Sequence, residues 1–179
     1  MSDNVKTPEF RMSFVNVFQP RATNPDGTGE KKYSLVMLFP KGADLSALKA
    51  DVARVSKEKW GDKIPKGLRN PLKEVDPEER DEYQPGMVRV SATSKQKPGL
   101  VDAKVQPIID ESEIYSGCWG RASVRAFAYD VNGNRGVSFG LQNLQKTRDD
   151  APFGNRARPE NEFEAVGESA GGEGGGIFD

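Results

Sequence analysis

From residue 120 to residue 128 every second side chain is small and apolar: Gly120, Ala122, Val124, Ala126 and Ala128. Between and around them stand Trp119, Arg121, Ser123, Arg125, Phe127 and Tyr129. A period of two puts these sets on opposite faces of a β-strand. The small set suits only a tightly packed interior. The other set carries two arginines, which do not enter a small core unpaired, so it faces outward. VNGN (131–134) follows, and its Asn-Gly pair is the signature of a two-residue hairpin turn. RGVSFGLQNLQK (135–146) is the returning strand. A chain holding this hairpin is committed to an antiparallel sheet with a narrow interior.

Further strands are legible upstream. In EFRMSFVNVFQ (9–19) the apolar parity runs through Phe10, Met12 and Phe14, then shifts to Val15 and Val17. That shift predicts a strand with a bulge or bend. TNPDGTGE (23–30) is turn chemistry, and KKYSLVMLFP (31–40) is a nearly continuous apolar strand, so the pair forms a long hairpin. DLSALKADVARVSKEKW (44–60) is the one clear helix, with Leu45, Leu48, Val52 and Val55 on one face and Asp44 placed to cap it. Residues 61–86, rich in Pro, Gly and charge, predict a long excursion without much core. MVRVSATS (87–94) alternates again, with Arg89 on the face opposite Val88, Val90 and Ala92. About five strands and one helix predict a mainly β protein built on a small antiparallel barrel. Periodicity alone does not separate an OB fold from an SH3-like barrel or a β-sandwich.

The outward face of 119–129 presents three rings and two guanidinium groups in a row. Cations neutralise phosphates and exposed rings stack on bases, so the row suits single-stranded nucleic acid without base preference. Arg89, the loop residues Lys95 and Lys97, and the cluster Lys31, Lys32 and Tyr33 extend the basic and aromatic surface. The competing reading puts the rings under the helix or the 61–86 excursion, with Tyr33 in the core and the arginines as ordinary surface charges.

Net charge is −1, but residues 160–179 hold six acids and no base. Residues 1–159 therefore hold 26 bases and 21 acids, a net of +5. A mildly basic body carries an acidic tail. There is no histidine and one cysteine, Cys118, so the commonest general base, the commonest zinc ligand and an intrachain disulfide are all missing. The acidic pairs Asp110-Glu111 and Asp149-Asp150 are the only candidates for a magnesium site. The expectation is a binding protein, not an enzyme, with no cofactor and no metal. No apolar run is long enough for a membrane span and the N-terminus has no hydrophobic signal, so the expected location is the cytoplasm.

IYSGCWGRASVRAFAYDVNGNRGVSFGLQNLQKTRDDAPFG (114–154) resembles the single-stranded DNA-binding proteins of tailed bacteriophages. The elements that carry the resemblance are Tyr115, Gly117, Cys118, Tyr129, Asn132, Gly133, Gly136, Gly140, Leu141 and Gln145. FQP (18–20) and YSLVMLFPK (33–41) before a helix extend it over residues 9–154. The resemblance implies an OB fold and cooperative, sequence-independent binding of single-stranded DNA in phage replication or recombination. It does not assign contact residues, which rest on the alternation above. The alternative is a phage structural or assembly β-barrel module that does not bind nucleic acid.

The division expected is an OB-fold domain over 1–154 and a disordered acidic tail over 155–179. The tail ends GGEGGGIFD. Its tip, Ile177, Phe178 and Asp179, is similar to the apolar-aromatic ends with which single-strand binders dock on replication or recombination proteins. The tail acids are expected to compete with DNA for the basic face, and a homo-oligomer or cooperative assembly on DNA is a further expected partner.

Overall fold

The computed structural model describes residues 4–22, 24, 26–153 and 163–166. The expected tail contacts of Ile177, Phe178 and Asp179 lie outside the described residues. In chain order the elements are β1 (Val5–Lys6), β2 (Phe10–Ala22), β3 (Lys31–Phe39), α1 (Ser46–Trp60), β4 (Lys73–Glu74), β5 (Val88–Ser94), β6 (Gly99–Val101), β7 (Trp119–Val131) and β8 (Asn134–Arg148).

Five strands close on themselves. β2 pairs with β3, β3 with β5, β5 with β8, β8 with β7, and β7 returns to β2. The β5–β8 contact is parallel and the others are antiparallel. This closed five-stranded Greek-key ring is the OB architecture, which resolves the choice that periodicity left open. Outside the ring, β1 pairs with β7, β6 with β8 and β4 with β5.

The small side chains of β7 are what let the ring close. Ala122, Val124 and Ala126 are buried against Phe10, Met12, Met37, Phe39 and Phe139. Phe10 and Phe39 meet edge-on with centroids 5.5 Å apart. At Gly120 a Cβ would overlap the Met12 methyl group and the Gln145 carbonyl. The hairpin turn is as expected: Asn132 and Gly133 both have positive φ, 52° and 82°, the type I′ requirement. The parity shift in β2 is a bulge, with the register to β3 slipping between Ser13 and Asn16 and Phe14 at φ 46°.

The helix starts later than expected. It begins at Ser46, and Leu45 in the cap position makes no side-chain cap bond. Asp44 instead closes the turn ahead of it, accepting from the Ser46 amide at 3.0 Å and hydroxyl at 2.6 Å. The helix docks on β7 through a buried polar clip. The Asp51 carboxylate accepts the Ala126 backbone N–H at 2.7 Å and is held by Arg54 at 2.7 and 2.9 Å. That clip satisfies an edge amide just past the residues that β1 covers.

The excursion is more structured than its composition predicts. It adds β4 and builds a second apolar cluster of Leu38, Val75, Tyr83 and Met87, against which Val36 and Phe153 pack. Among the described residues no helix is long and apolar enough to cross a membrane.

Candidate nucleic-acid interface

The alternation of β7 is realised in space. Gly120, Ala122, Val124 and Ala126 are buried, while Arg121, Arg125 and Phe127 are exposed, Phe127 by 43%. Paired residues on neighbouring strands point to the same side of a sheet, so the ladders extend this face across the ring. Arg125 pairs with Gly140, Gly140 with Thr93, and Thr93 with Ser34. The next row begins with Phe127 opposite Ser138, and the one after with Tyr129 opposite Gly136. On the β5 side, Ser91 pairs with Val36 and Arg89 with Leu38. Serine, threonine and glycine thus form a low strip on β8 and β5, flanked by Arg125, Phe127 and Tyr129 on one side and Arg89 on the other. None of these positions is acidic.

The expected site residues fall into three groups. Arg125, Phe127, Tyr129 and Arg89 share the outer face just described. Tyr129 is half-buried because its ring lies over Gly136, where a Cβ would strike the tyrosine Cζ and hydroxyl at 2.8 and 2.5 Å. Lys32 and Lys95 follow on the same face, one step beyond the Tyr33–Ser94 pair. Lys95 also contacts Glu30 at 3.3 Å, and Lys97 lies 5.7 Å from the centre of the Phe18 ring. Lys31 is exposed at the start of β3, while Tyr33, in parity with Leu35 and Met37, is half-buried.

Trp119 and Arg121, at the other end of β7, are tied to their own surroundings. The Trp119 indole N–H donates to Asp150 at 2.8 Å and the Arg148 guanidinium lies 4.2 Å from its ring centre. This indole hydrogen bond, with the Ala151 amide, holds the Asp150 carboxyl below its ordinary pKa. Arg121 donates to Gln145 at 2.6 Å. Trp119 is thereby part of a clasp around residues 149–153. Tyr115 donates to Asp149 at 2.9 Å, Arg11 donates to the Ala151 carbonyl at 2.6 Å, and Phe153 donates its amide to Ser116.

Of the acidic pairs considered for magnesium, Asp110, Asp149 and Asp150 have other partners. Asp110 closes a short turn onto Ser112, and Asp149 and Asp150 belong to the clasp. Among the described residues no group of three potential ligands is placed to hold a metal ion. The sequence reading missed Arg69, Asn70 and Lys73. They border Arg89, Ser91, Tyr129 and Ser138 around a concavity of about 190 Å³. Only the pairing of residue 69 with β8 and of β4 with β5 brings them there.

A closed OB ring with a basic and aromatic outer face, free of acids along its small-residue strip, defines a class of nucleic-acid-binding modules. The sequence profile of the Enterobacter phage Enc34 ssDNA-binding protein family matches residues 3–172, and the chain belongs to that family. Protein p50 of Acyrthosiphon pisum secondary endosymbiont phage 1 is 32% identical over 161 residues, covering 83% of this chain and 85% of that one. The structure is similar to the single-stranded DNA-binding protein from bacteriophage Enc34 in complex with ssDNA. That TM-score is 0.72 at 23% identity, covering 84% of this chain and 89% of that one. It is also similar to gp2.5, a single-stranded DNA-binding protein encoded by bacteriophage T7, with a TM-score of 0.65 at 13% identity and coverage of 92% and 98%. At these identities the two structures establish the fold.

Proposed function

We propose that this protein binds single-stranded DNA without base preference and coats it during phage DNA replication or recombination in the host cytoplasm. The observation that carries the reading is the acid-free strip between Arg125, Phe127 and Tyr129 on one side and Arg89 on the other. Cations at its margins neutralise phosphates, and Phe127 offers an exposed ring with Ser138 as its cross-strand partner. Duplex DNA hides its base faces, so the rings favour the single strand. Family membership supports the same reading. Lys31, Lys32, Lys95 and Lys97 extend the basic surface toward the β2–β3 loop, a loop that OB folds use for oligonucleotides. Residues 1–154 serve as the binding domain. Residues 155–179 serve as an acidic tail that competes for the basic face and offers Ile177 and Phe178 to replication or recombination proteins, and copies assemble along the strand.

The test is titration of fluorescent oligo-dT at rising salt, beside a duplex of equal length. Tight single-strand binding that weakens linearly in log salt is expected, with Phe127→Ala losing about 1–3 kcal/mol of affinity. Absence of binding at low salt, or equal affinity for duplex, would overturn the proposal.

A further inference from the structure

β4 and β5 set two cations directly opposite each other: Lys73 pairs with Arg89. Like charges in register on neighbouring strands repel. Ordinarily an acid sits close by and offsets the repulsion. Here the ion pairs of the described residues all involve other side chains. Glu74, the strand neighbour of Lys73, alternates to the other side. A third cation joins them. The backbone of Arg69 bridges to β8, its amide donating to Arg135 at 3.0 Å and its carbonyl accepting from Val137 at 3.1 Å. Among the described residues its guanidinium makes one long 3.4 Å hydrogen bond, to the Asn134 side-chain oxygen. All three cations line the same concavity, with the hydroxyls of Ser91 and Ser138 and the ring of Tyr129.

Three cationic residues and two serines, and no acidic residue, line about 190 Å³. The backbone register keeps two of these cationic residues, Lys73 and Arg89, opposite each other. An anion in the concavity would remove their repulsion. We infer that Arg69, Lys73 and Arg89 form a seat for one backbone phosphate of single-stranded DNA, next to a base stacked on Tyr129. The excursion is then part of the binding surface: it carries two of the three cations. This inference rests on the DNA-binding reading above and adds residues 69 and 73 to it.

The experiment uses the full-length chain and oligo-dT, with the salt slope as readout. Arg69→Gln with Lys73→Gln should flatten the slope of log affinity against log salt by about 0.7, the single-strand value for one phosphate. Lys63→Gln with Lys66→Gln, on the same excursion but outside the concavity, should leave the slope unchanged. Lys73→Gln alone, at an exposed position, should leave the melting temperature of the free protein unchanged or raise it at low salt, because it ends the repulsion. An unchanged slope in the first pair, an equal flattening in the second, or a lower melting temperature for Lys73→Gln would each overturn the phosphate seat. If the wild type does not bind oligo-dT, the DNA-binding reading falls as well. If it binds with a slope that the first pair does not alter, the seat alone is overturned.

Discussion

Phe127 and Tyr129 stand two residues apart on one face, yet their surroundings differ. Phe127 lies opposite Ser138 and is exposed by 43%. Tyr129 lies over Gly136, a pairing in which the ring replaces the missing side chain of its partner. Replacing both rings is therefore not one experiment. Phe127→Ala should weaken DNA binding while leaving the melting temperature within a degree or so. Tyr129→Ala should weaken DNA binding and also cost about 1 kcal/mol of stability, since the cross-strand packing over the glycine is lost. For a chain of this size that is a fall of roughly 2–4 °C, measurable by thermal denaturation. Equal melting temperatures for the two variants would show that the tyrosine ring does not pack. Strand alternation alone places both residues on the outer face, because the small residues between them leave one choice of interior. It does not distinguish their burial, because Gly136 becomes the partner of Tyr129 only through the register of the hairpin.

Between elements, legibility follows the distance along the chain. The β7–β8 hairpin is written locally, in alternation and an Asn-Gly turn. The helix is likewise written in its own periodicity, although its first residue is not, since Asp44 bonds to Ser46 whether or not the helix has begun. The excursion has no local pattern, because its order comes from a single bridge to distant β8 and a two-residue pairing with β5. The clasp over 149–153 is the same kind of feature. Asp149-Asp150 looks like a metal-binding pair in sequence, while in the fold it closes the barrel end onto Tyr115 and Trp119. This clasp has a pH signature. The Trp119 hydrogen bond and the Ala151 amide lower the carboxyl pKa of Asp150 below its unfolded value. Its contribution is therefore complete above the ordinary aspartate range and is lost as pH falls through the depressed value. In a Trp60→Phe background, Trp119 fluorescence should be constant near neutrality and change on acidification below about pH 4. Asp150→Ala should show the altered emission at neutral pH already. An emission that neither acid nor this substitution changes would mean that the carboxylate does not hold the indole.

At the scale of the whole molecule, the place where the tail leaves the body matters most. Phe153 packs on the cluster of Leu38, Val75, Tyr83 and Met87. Leu38 pairs directly with Arg89, so this cluster and the cation concavity meet on neighbouring strands. The six acids of residues 160–179 follow in sequence from Phe153, whose cluster reaches Arg89 through Leu38. In the proposed function such a tail competes with DNA as a tethered polyanion, and a tether of some twenty residues would supply an effective concentration far above that of free chains. Salt screens this competition along with DNA binding itself. Deleting residues 160–179 should thus raise oligo-dT affinity most at low salt and little at high salt. The gain should also shrink in the Arg69→Gln, Lys73→Gln background, because removing the cations removes what the acids compete for. A double-mutant cycle measures that coupling directly. A deletion that lowers affinity would show that the tail assists DNA binding. A gain of equal size in both backgrounds would place the competition elsewhere on the barrel, away from the cation concavity.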